Sequence, residues 1–207
     1  MRTTALAILV AAILVCYIIL YIIEKKRTGI HHIILTAVMT AMSIAGRFVF
    51  AVIPGFKPVT AIVVLAGIYI GADAGFLCGS LTALISNCYF GQGPWSPFQM
   101  LCWGMIGAIA GIMSKYLKKS SILLVIYGAL AGVAYSFIMD IYTVLWSLGK
   151  WSFGFYLTAL ATALPFTIEY AVSNVLFLLL ISKPVGAKLE HVMAKASSYS
   201  VDYKRKI

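Results

Sequence analysis

Three charged side chains lie inside long apolar stretches of this 207-residue chain: Arg47, Asp140 and Glu169. A charge within the hydrocarbon of a membrane is costly, and it usually faces other helices, where it pairs, binds a ligand or relays a proton. At about 1.5 Å per residue from the predicted helix ends, Arg47 and Asp140 both lie roughly 10 Å deep. They are candidates for an ion pair; in the alternative, Arg47 extends to the membrane surface.

Glu169 lies about 20 Å from the start of its predicted helix, with no basic residue of the spans at that level. It either holds helices together or contacts a ligand. Asp140 and Glu169 could also serve as acid and base in an intramembrane enzyme. The chain has no His-Glu-x-x-His sequence, no Asp-rich metal motif, no serine elbow and no phosphate-binding loop. We therefore predict no enzyme activity and no metal site, and His31 and His32 lack a third ligand nearby.

Small and polar residues form a stripe on each of the helices that carry these acids. One stripe contains Thr158, Thr162, Pro165, Glu169 and Ser173, and the other contains Gly128, Gly132, Ser136, Asp140 and Thr143. Spacings of three and four residues place each set on one helix face. Such a face serves close helix packing or lines a cavity. The two stripes converge toward the side of the unusual loops, which favours a cavity.

The composition indicates an all-α integral membrane protein. Hydrophobic residues make up 62% of the chain and charged residues 11%, with a mean hydropathy of +1.00; soluble domains are about half apolar and a quarter charged. The net charge of +10 comes from basic residues in short loops, which is the pattern that sets membrane topology rather than one that binds nucleic acid. The four cysteines form no C-x-x-C pair, and we predict that they are small buried hydrophobic residues.

Apolar runs between polar breaks predict seven membrane spans. The run at 59–90 contains one charge, Asp73, and could cross once or twice. Two crossings, with the first loop cytoplasmic, place twelve of the 16 Lys and Arg residues on the cytoplasmic side, as the positive-inside rule requires. We therefore predict a multi-pass protein of the bacterial cytoplasmic membrane with its N-terminus outside and its C-terminus inside. The predicted spans are 4–23, 30–53, 59–72, 74–90, 98–117, 121–147 and 155–182.

The predicted outer loops at 54–58, 91–97 and 148–154 are rich in glycine, proline and tryptophan. Glycine and proline fix tight non-helical backbone, and Gln92, Trp95, Lys150 and Trp151 add hydrogen-bond donors and flat apolar surfaces. These loops could cap a pocket. An ordinary belt of interfacial aromatic residues explains Trp151 equally well, but it does not explain the run Gly91-Gln92-Gly93-Pro94-Trp95.

Ala37, Ala41 and Ala45 recur at every fourth position of the span at 30–53 and form a smooth strip that another helix can approach closely. In this position the strip resembles the docking motif of the substrate-binding S components of energy-coupling-factor (ECF) vitamin transporters. The resemblance covers roughly residues 28–190. It implies a six-helix substrate-binding core, here preceded by an extra transmembrane helix in residues 1–27 and followed by a basic cytoplasmic tail at 191–207. Residues 183–207 form either an interfacial helix against anionic lipid or a solvated end.

The resemblance implies a transport subunit that captures a vitamin from outside and docks through its alanine strip onto a transmembrane coupling subunit driven by two ATPases. Within the family, the sequences Phe56-Lys57-Pro58-Val59 and Phe90 to Met100 are similar to members associated with cobalamin, which we take as the predicted ligand. The alternatives are an S component for a different vitamin or precursor, the intramembrane enzyme with Asp140 and Glu169, and a structural or assembly protein that only packs against a partner. The residues predicted to bind substrate are Phe56, Lys57, Asn87, Gln92, Trp95, Gln99, Trp103, Asp140, Trp151 and Glu169.

Overall fold

The computed structural model describes residues 2–24 and 29–205, and these form eight helices and no strand. The segment at 25–28, which carries part of the first basic loop, lies outside the described residues. The helices are α1 (Arg2–Glu24), α2 (Ile30–Val49), α3 (Val59–Tyr69), α4 (Ala72–Phe90), α5 (Ser96–Ile112), α6 (Ser114–Lys119), α7 (Ser121–Leu148) and α8 (Phe153–Arg205). By length and composition, α2, α7 and residues 153–195 of α8 could each cross a membrane.

Helix α3 is the centre of the bundle. It has only 11 residues, roughly 16 Å of helix, whereas the hydrocarbon of a bilayer is about 30 Å thick. All residues from Val59 to Ile68 are buried, and α3 contacts α2, α4, α5, α6, α7 and α8. A helix this short is tolerated because protein, not lipid, surrounds its ends and satisfies the neighbouring backbone.

A turn at Ile70 and Gly71 reverses the chain between α3 and α4, so the run at 59–90 makes two antiparallel helices, as predicted. Gly71 has φ 152°, a backbone conformation that favours glycine. The pairing of the helices brings Val59 and Phe90 to the same end of the bundle. We call this end, which carries loops 50–58, 91–95 and 149–152, the loop end.

Two predicted span boundaries were wrong. The span at 98–117 is interrupted at Met113, which separates α5 from the short α6. The last helix does not end near Pro184 but continues to Arg205. Pro184 removes one backbone donor, but tertiary packing after it compensates: Leu189 is buried, and Gly186 lies directly against the ring of Tyr69.

Glycines bring α3, α4 and α5 into backbone contact. A Cβ atom on Gly67 or Gly75 would meet the carbonyl oxygen of Gly107, and one on Gly107 would meet the Gly75 carbonyl group and Val63 Cγ1. Small residues that let helix backbones approach are the usual basis of packing in membranes, where no hydrophobic force distinguishes helix from lipid. This contact fixes the positions of α3, α4 and α5 relative to one another, and all three helices contribute residues to the loop end.

We expect Gly107→Ala to destabilise the protein by about 1–3 kcal/mol, because the added methyl group overpacks a backbone contact. The midpoint of thermal unfolding in detergent measures the effect. Gly154→Ala is the matched control, since a Cβ at Gly154 meets no atom within 4 Å. Equal midpoints for the two variants would show that α4 and α5 can separate at Gly107 without cost.

The cysteines differ in environment. Cys16, Cys78 and Cys102 are buried, which agrees with the prediction, whereas Cys88 is exposed near the end of α4. Cys16 of α1 lies with its Sγ 3.9 Å from the carbonyl oxygen of Pro97. Helix α1 therefore packs on the loop-end half of α5 and also contacts α7.

Candidate functional site

A cavity of about 100 Å³ lies at the loop end beneath loop 50–58. Residues of α2, α3, α5, α7 and α8 form its walls, so it occupies the middle of the bundle. The wall contains two cations, three aromatic residues, two amides and several smaller residues. The lining residues are Arg47, Gly55, Lys57, Val59, Thr60, Gln99, Trp103, Gly132, Tyr135, Tyr170 and Asn174.

Arg47 is buried, with 8% of its surface exposed, and it does not extend to the membrane surface. Its Nη1 donates to Ser86 Oγ and, at 2.8 Å, to Asn87 Oδ1. Its guanidinium lies 4.8 Å from the ring centre of Phe90 and 5.3 Å from that of Trp103. No ion pair joins Arg47 to a carboxylate in the described part of the chain, so the predicted pairing with Asp140 is wrong.

The hydrogen bonds of Arg47 continue across three further helices. Asn87 Nδ2 donates to Ser96 Oγ at 2.9 Å and to Gln99 Oε1 at 2.8 Å. Gln99 Nε2 then donates to the hydroxyl of Tyr135 at 3.0 Å. Networks in which each polar group has a partner hold buried side chains in one arrangement. This network fixes the cation and the amide that face the cavity.

Aromatic rings form another part of the wall. Trp103 of α5 stacks on Tyr135 of α7, with ring centres 5.2 Å apart and planes 9° apart. Tyr170 of α8 meets Tyr135 edge to face at 5.3 Å. Aromatic pairs in these geometries contribute about 0.5–1.5 kcal/mol beyond the area that they bury. The wall is therefore a preformed apolar surface.

Loop 50–58 is tied to α8. The backbone N–H of Lys57 donates to Ser173 Oγ at 2.9 Å, and the Ser173 hydroxyl donates to the carbonyl oxygen of Lys57 at 3.1 Å. The ring of Phe56 packs between those of Phe50 and Phe177 at 5.9 and 5.1 Å. Gly55, at φ 72°, lies so close to Glu169 that a Cβ would overlap the carboxylate. The loop therefore closes the cavity from above.

The charge of the cavity is positive. Lys57 and Arg47 both line it, and the pKa of Lys57 is lowered, first by burial and then by the charge of Arg47. Asp140 and Glu169 do not line it, although each has one buried carboxylate oxygen without a hydrogen-bond partner. The two cations therefore face the cavity without a counter-charge from its wall.

Of the predicted substrate residues, Lys57, Gln99 and Trp103 line the cavity. Asn87 stands behind them as the partner of Arg47 and Gln99. The others lie outside the wall. Phe56 belongs to the closing loop, and Glu169 contacts that loop. Gln92, Trp95 and Trp151 lie at the exposed loop end, and Asp140 is a buried residue of α7.

The exposed members have partners of their own. Gln92 Nε2 donates to the carbonyl oxygen of Leu84 at 2.7 Å, and the indole of Trp95 covers Gly93. Trp151 packs on Tyr156 with ring centres 5.1 Å apart and is half exposed. For Trp151 this is the arrangement of an interfacial aromatic residue, the alternative that the sequence left open.

Sequence reasoning missed the lining residues Val59, Thr60, Tyr135, Tyr170 and Asn174. Gly132 is the one stripe member in the wall, whereas Tyr135, Tyr170 and Asn174 are each adjacent in sequence to a stripe member. The α7 stripe itself serves mainly packing against α8, because Gly132 touches the backbone of Tyr170 and Ser136 bonds Thr167 at 2.6 Å. Asn174 is the single asparagine of the predicted span at 155–182, and an amide within a membrane span was the signal that could have identified it.

The alanine strip lies on the outside of the bundle. Ala37, Ala41 and Ala45 are all exposed, while Met39 and Ser43 on the other side of α2 are buried. The strip is therefore free to meet another protein or lipid. In the described residues, no group of three or more His, Cys, Asp or Glu side chains could hold a metal ion.

The chain matches the family profile described as "ECF-type riboflavin transporter, S component" over residues 27–190. No curated protein and no solved structure matches it. The predicted resemblance to ECF S components over residues 28–190 is thus confirmed. Members of this family are multi-pass membrane subunits of transporters and not enzymes. The name of the family profile specifies riboflavin and gives no support to cobalamin. The chain therefore belongs to the S-component family of ECF-type transporters.

Proposed function

We propose that this protein is the substrate-binding subunit of an ECF-type importer and that its ligand is a flavin, with riboflavin as the reference compound. The observation that carries the proposal is the cavity beneath loop 50–58. Ligand sites in helical bundles lie between helices and combine apolar walls with a few fixed polar groups. A flavin combines a flat apolar ring system with an edge of carbonyl and imide groups and a hydroxylated chain.

The wall chemistry supports this ligand class. Trp103, Tyr135 and Tyr170 offer apolar surface to a flat ring. Gln99 and Asn174 offer amides, and Thr60 offers a hydroxyl, to a polar edge or chain. The family description names the same vitamin.

The size of the cavity supports a flavin over cobalamin. At about 100 Å³ it is smaller than the roughly 300–1,000 Å³ that is usual for ligand pockets, so the loop must lift to admit either molecule. Cobalamin, a corrinoid several times larger than riboflavin, would require the helices of the wall to separate as well. The contacts among Trp103, Tyr135 and Tyr170 oppose that separation.

Orientation and partners complete the proposal. The end of the bundle opposite the loop end carries Lys118, which pairs with Glu190 at 3.6 Å and lies over the ring of Tyr69 at 4.6 Å. Lys115 and Lys119 are exposed beside it. By the positive-inside rule this end faces the cytoplasm, which turns the cavity outward. A coupling subunit and two ATPases supply the transport step, with docking through the alanine strip.

Titration of the purified protein with riboflavin tests the proposal, because binding next to Trp103 quenches flavin fluorescence. We expect saturable quenching with one site per chain and no competition by cobalamin. Competition by cobalamin with stronger binding would favour the corrinoid that the loop sequences suggest. Co-purification with ATPases and a coupling subunit, but without affinity for either vitamin, would retain the transporter role and reject the flavin.

A further inference from the structure

Arg47 is a buried cation, and no carboxylate among the described residues forms an ion pair with it. More than nine-tenths of its surface is inaccessible, and its partners Ser86 and Asn87 are neutral. Phe90 and Trp103 cover its faces. A buried charge that lacks an opposite charge is strongly unfavourable, and proteins seldom retain one without a use for it.

Lys57 adds a second cation to the same wall. It belongs to the closing loop, whereas Arg47 belongs to α2, so the two reach the cavity from different sides. No ion pair of Lys57 with a carboxylate occurs among residues 29–195, where side chains are described throughout. Burial lowers the pKa of Lys57 and the positive charge of Arg47 lowers it further, as expected for two cations that line one cavity and repel each other.

The nearby acids do not relieve this repulsion. Glu169 packs against Gly55 of the closing loop, and Asp140 is a buried residue of α7. Neither lines the cavity. The missing counter-charge must therefore come from whatever occupies the cavity.

We propose that the ligand carries a carboxylate or phosphate group that binds between Arg47 and Lys57. This rests on the proposed function only in taking the cavity as the substrate site. Guanidinium and ammonium groups bind such anions through charge-assisted hydrogen bonds, which are about twice as strong as neutral ones. Among flavins, the 5′-phosphate of riboflavin has this group, and riboflavin itself is neutral.

The first experiment uses small anions, so that it does not depend on the flavin. The midpoint of thermal unfolding in detergent is measured with chloride, acetate or inorganic phosphate at equal ionic strength. We expect phosphate, acetate or both to raise the midpoint of the wild type, and the active anion identifies the group. Arg47→Gln and Lys57→Gln should remove the rise. Lys119→Gln, which removes the same charge from an exposed position at the opposite end, should keep it.

The second experiment compares riboflavin 5′-phosphate with riboflavin by calorimetry in the same four proteins. We expect the phosphate ester to bind about ten-fold more tightly or better in the wild type and in Lys119→Gln. The ratio should fall toward one in Arg47→Gln and Lys57→Gln. The ratio of the two affinities is informative even if one variant is less stable, because both ligands are measured on the same protein. Lys57 lies in a loop, so its substitution changes no helical residue.

The outcomes separate the two proposals. Anion stabilisation that depends on Arg47 and Lys57, without binding of either flavin, would uphold the anionic ligand and reject the flavin. Equal binding of both flavins in all four proteins, without anion stabilisation, would uphold the flavin and overturn the anionic ligand. A rise in midpoint that persists in both cavity variants would also overturn it.

Discussion

Ala41→Leu is expected to reduce vitamin uptake at least about ten-fold while the affinity of the detergent-solubilised protein for its ligand stays unchanged. Ala41 is the middle residue of the exposed alanine strip and lies on the face of α2 opposite the cavity side. Helices in membranes associate closely where small side chains allow their backbones to approach. A leucine at the centre of the strip holds the partner helix away and removes packing contacts along the whole interface.

The measurement is uptake of radiolabelled vitamin into vesicles that contain the protein, its coupling subunit and the ATPases, together with calorimetry of the isolated protein. Met42→Leu is the matched control. Met42 is also exposed on α2, and a methionine-to-leucine exchange nearly conserves volume. Wild-type uptake by the Ala41 variant would remove the alanine strip from the docking surface. Loss of ligand affinity in the isolated variant would mean that the substitution acts on the cavity instead.

Trp103→Ala is expected to weaken ligand binding by about 2 kcal/mol, which is roughly thirty-fold. The indole lines the cavity, supports Tyr135 by stacking and covers one face of the Arg47 guanidinium. Its removal takes away apolar surface and also frees the cation to move. Trp103→Phe keeps a flat ring and should lose much less affinity.

Calorimetry of the purified variants measures this effect, and circular dichroism verifies that each is folded. Trp95→Ala provides the contrast: Trp95 was also predicted to bind substrate, but its indole lies over Gly93 and is about one-third exposed. We expect it to change affinity less than Trp103→Ala does. The reverse order would place the ligand at the exposed loop end rather than in the cavity.

Hydropathy and charge were sufficient to predict the helical membrane fold and the two antiparallel helices at 59–90. They failed where tertiary contacts decide the outcome. The last span was predicted to end at residue 182, but the helix continues through Pro184, where Gly186 and Leu189 contact the bundle. Met113 interrupts a span that is apolar from Met100 to Ile112, and hydropathy does not indicate such a break.

The candidate site was only partly predictable for a related reason. Counting residues from the predicted helix ends placed Arg47 and Asp140 at the same depth in the membrane. The depth of a residue does not determine which neighbouring helix its side chain faces. Arg47 faces α4 and Asp140 faces α8, so neutral partners hold the cation. Tyr135 and Tyr170 gave no signal because aromatic residues are common in membrane helices. Only the stacking of Tyr135 on Trp103 identifies them as a wall.

The unbroken α8 joins two distant parts of the molecule. Its 53 residues form a helix of roughly 80 Å; Ser173 holds the closing loop, and Glu190 meets Lys118 at the opposite end. Because the backbone stays helical through Pro184, the chain has no non-helical joint between these two contacts. A spin label at residue 191 should therefore report, from the end opposite the cavity, any tilt of α8 that accompanies opening of loop 50–58.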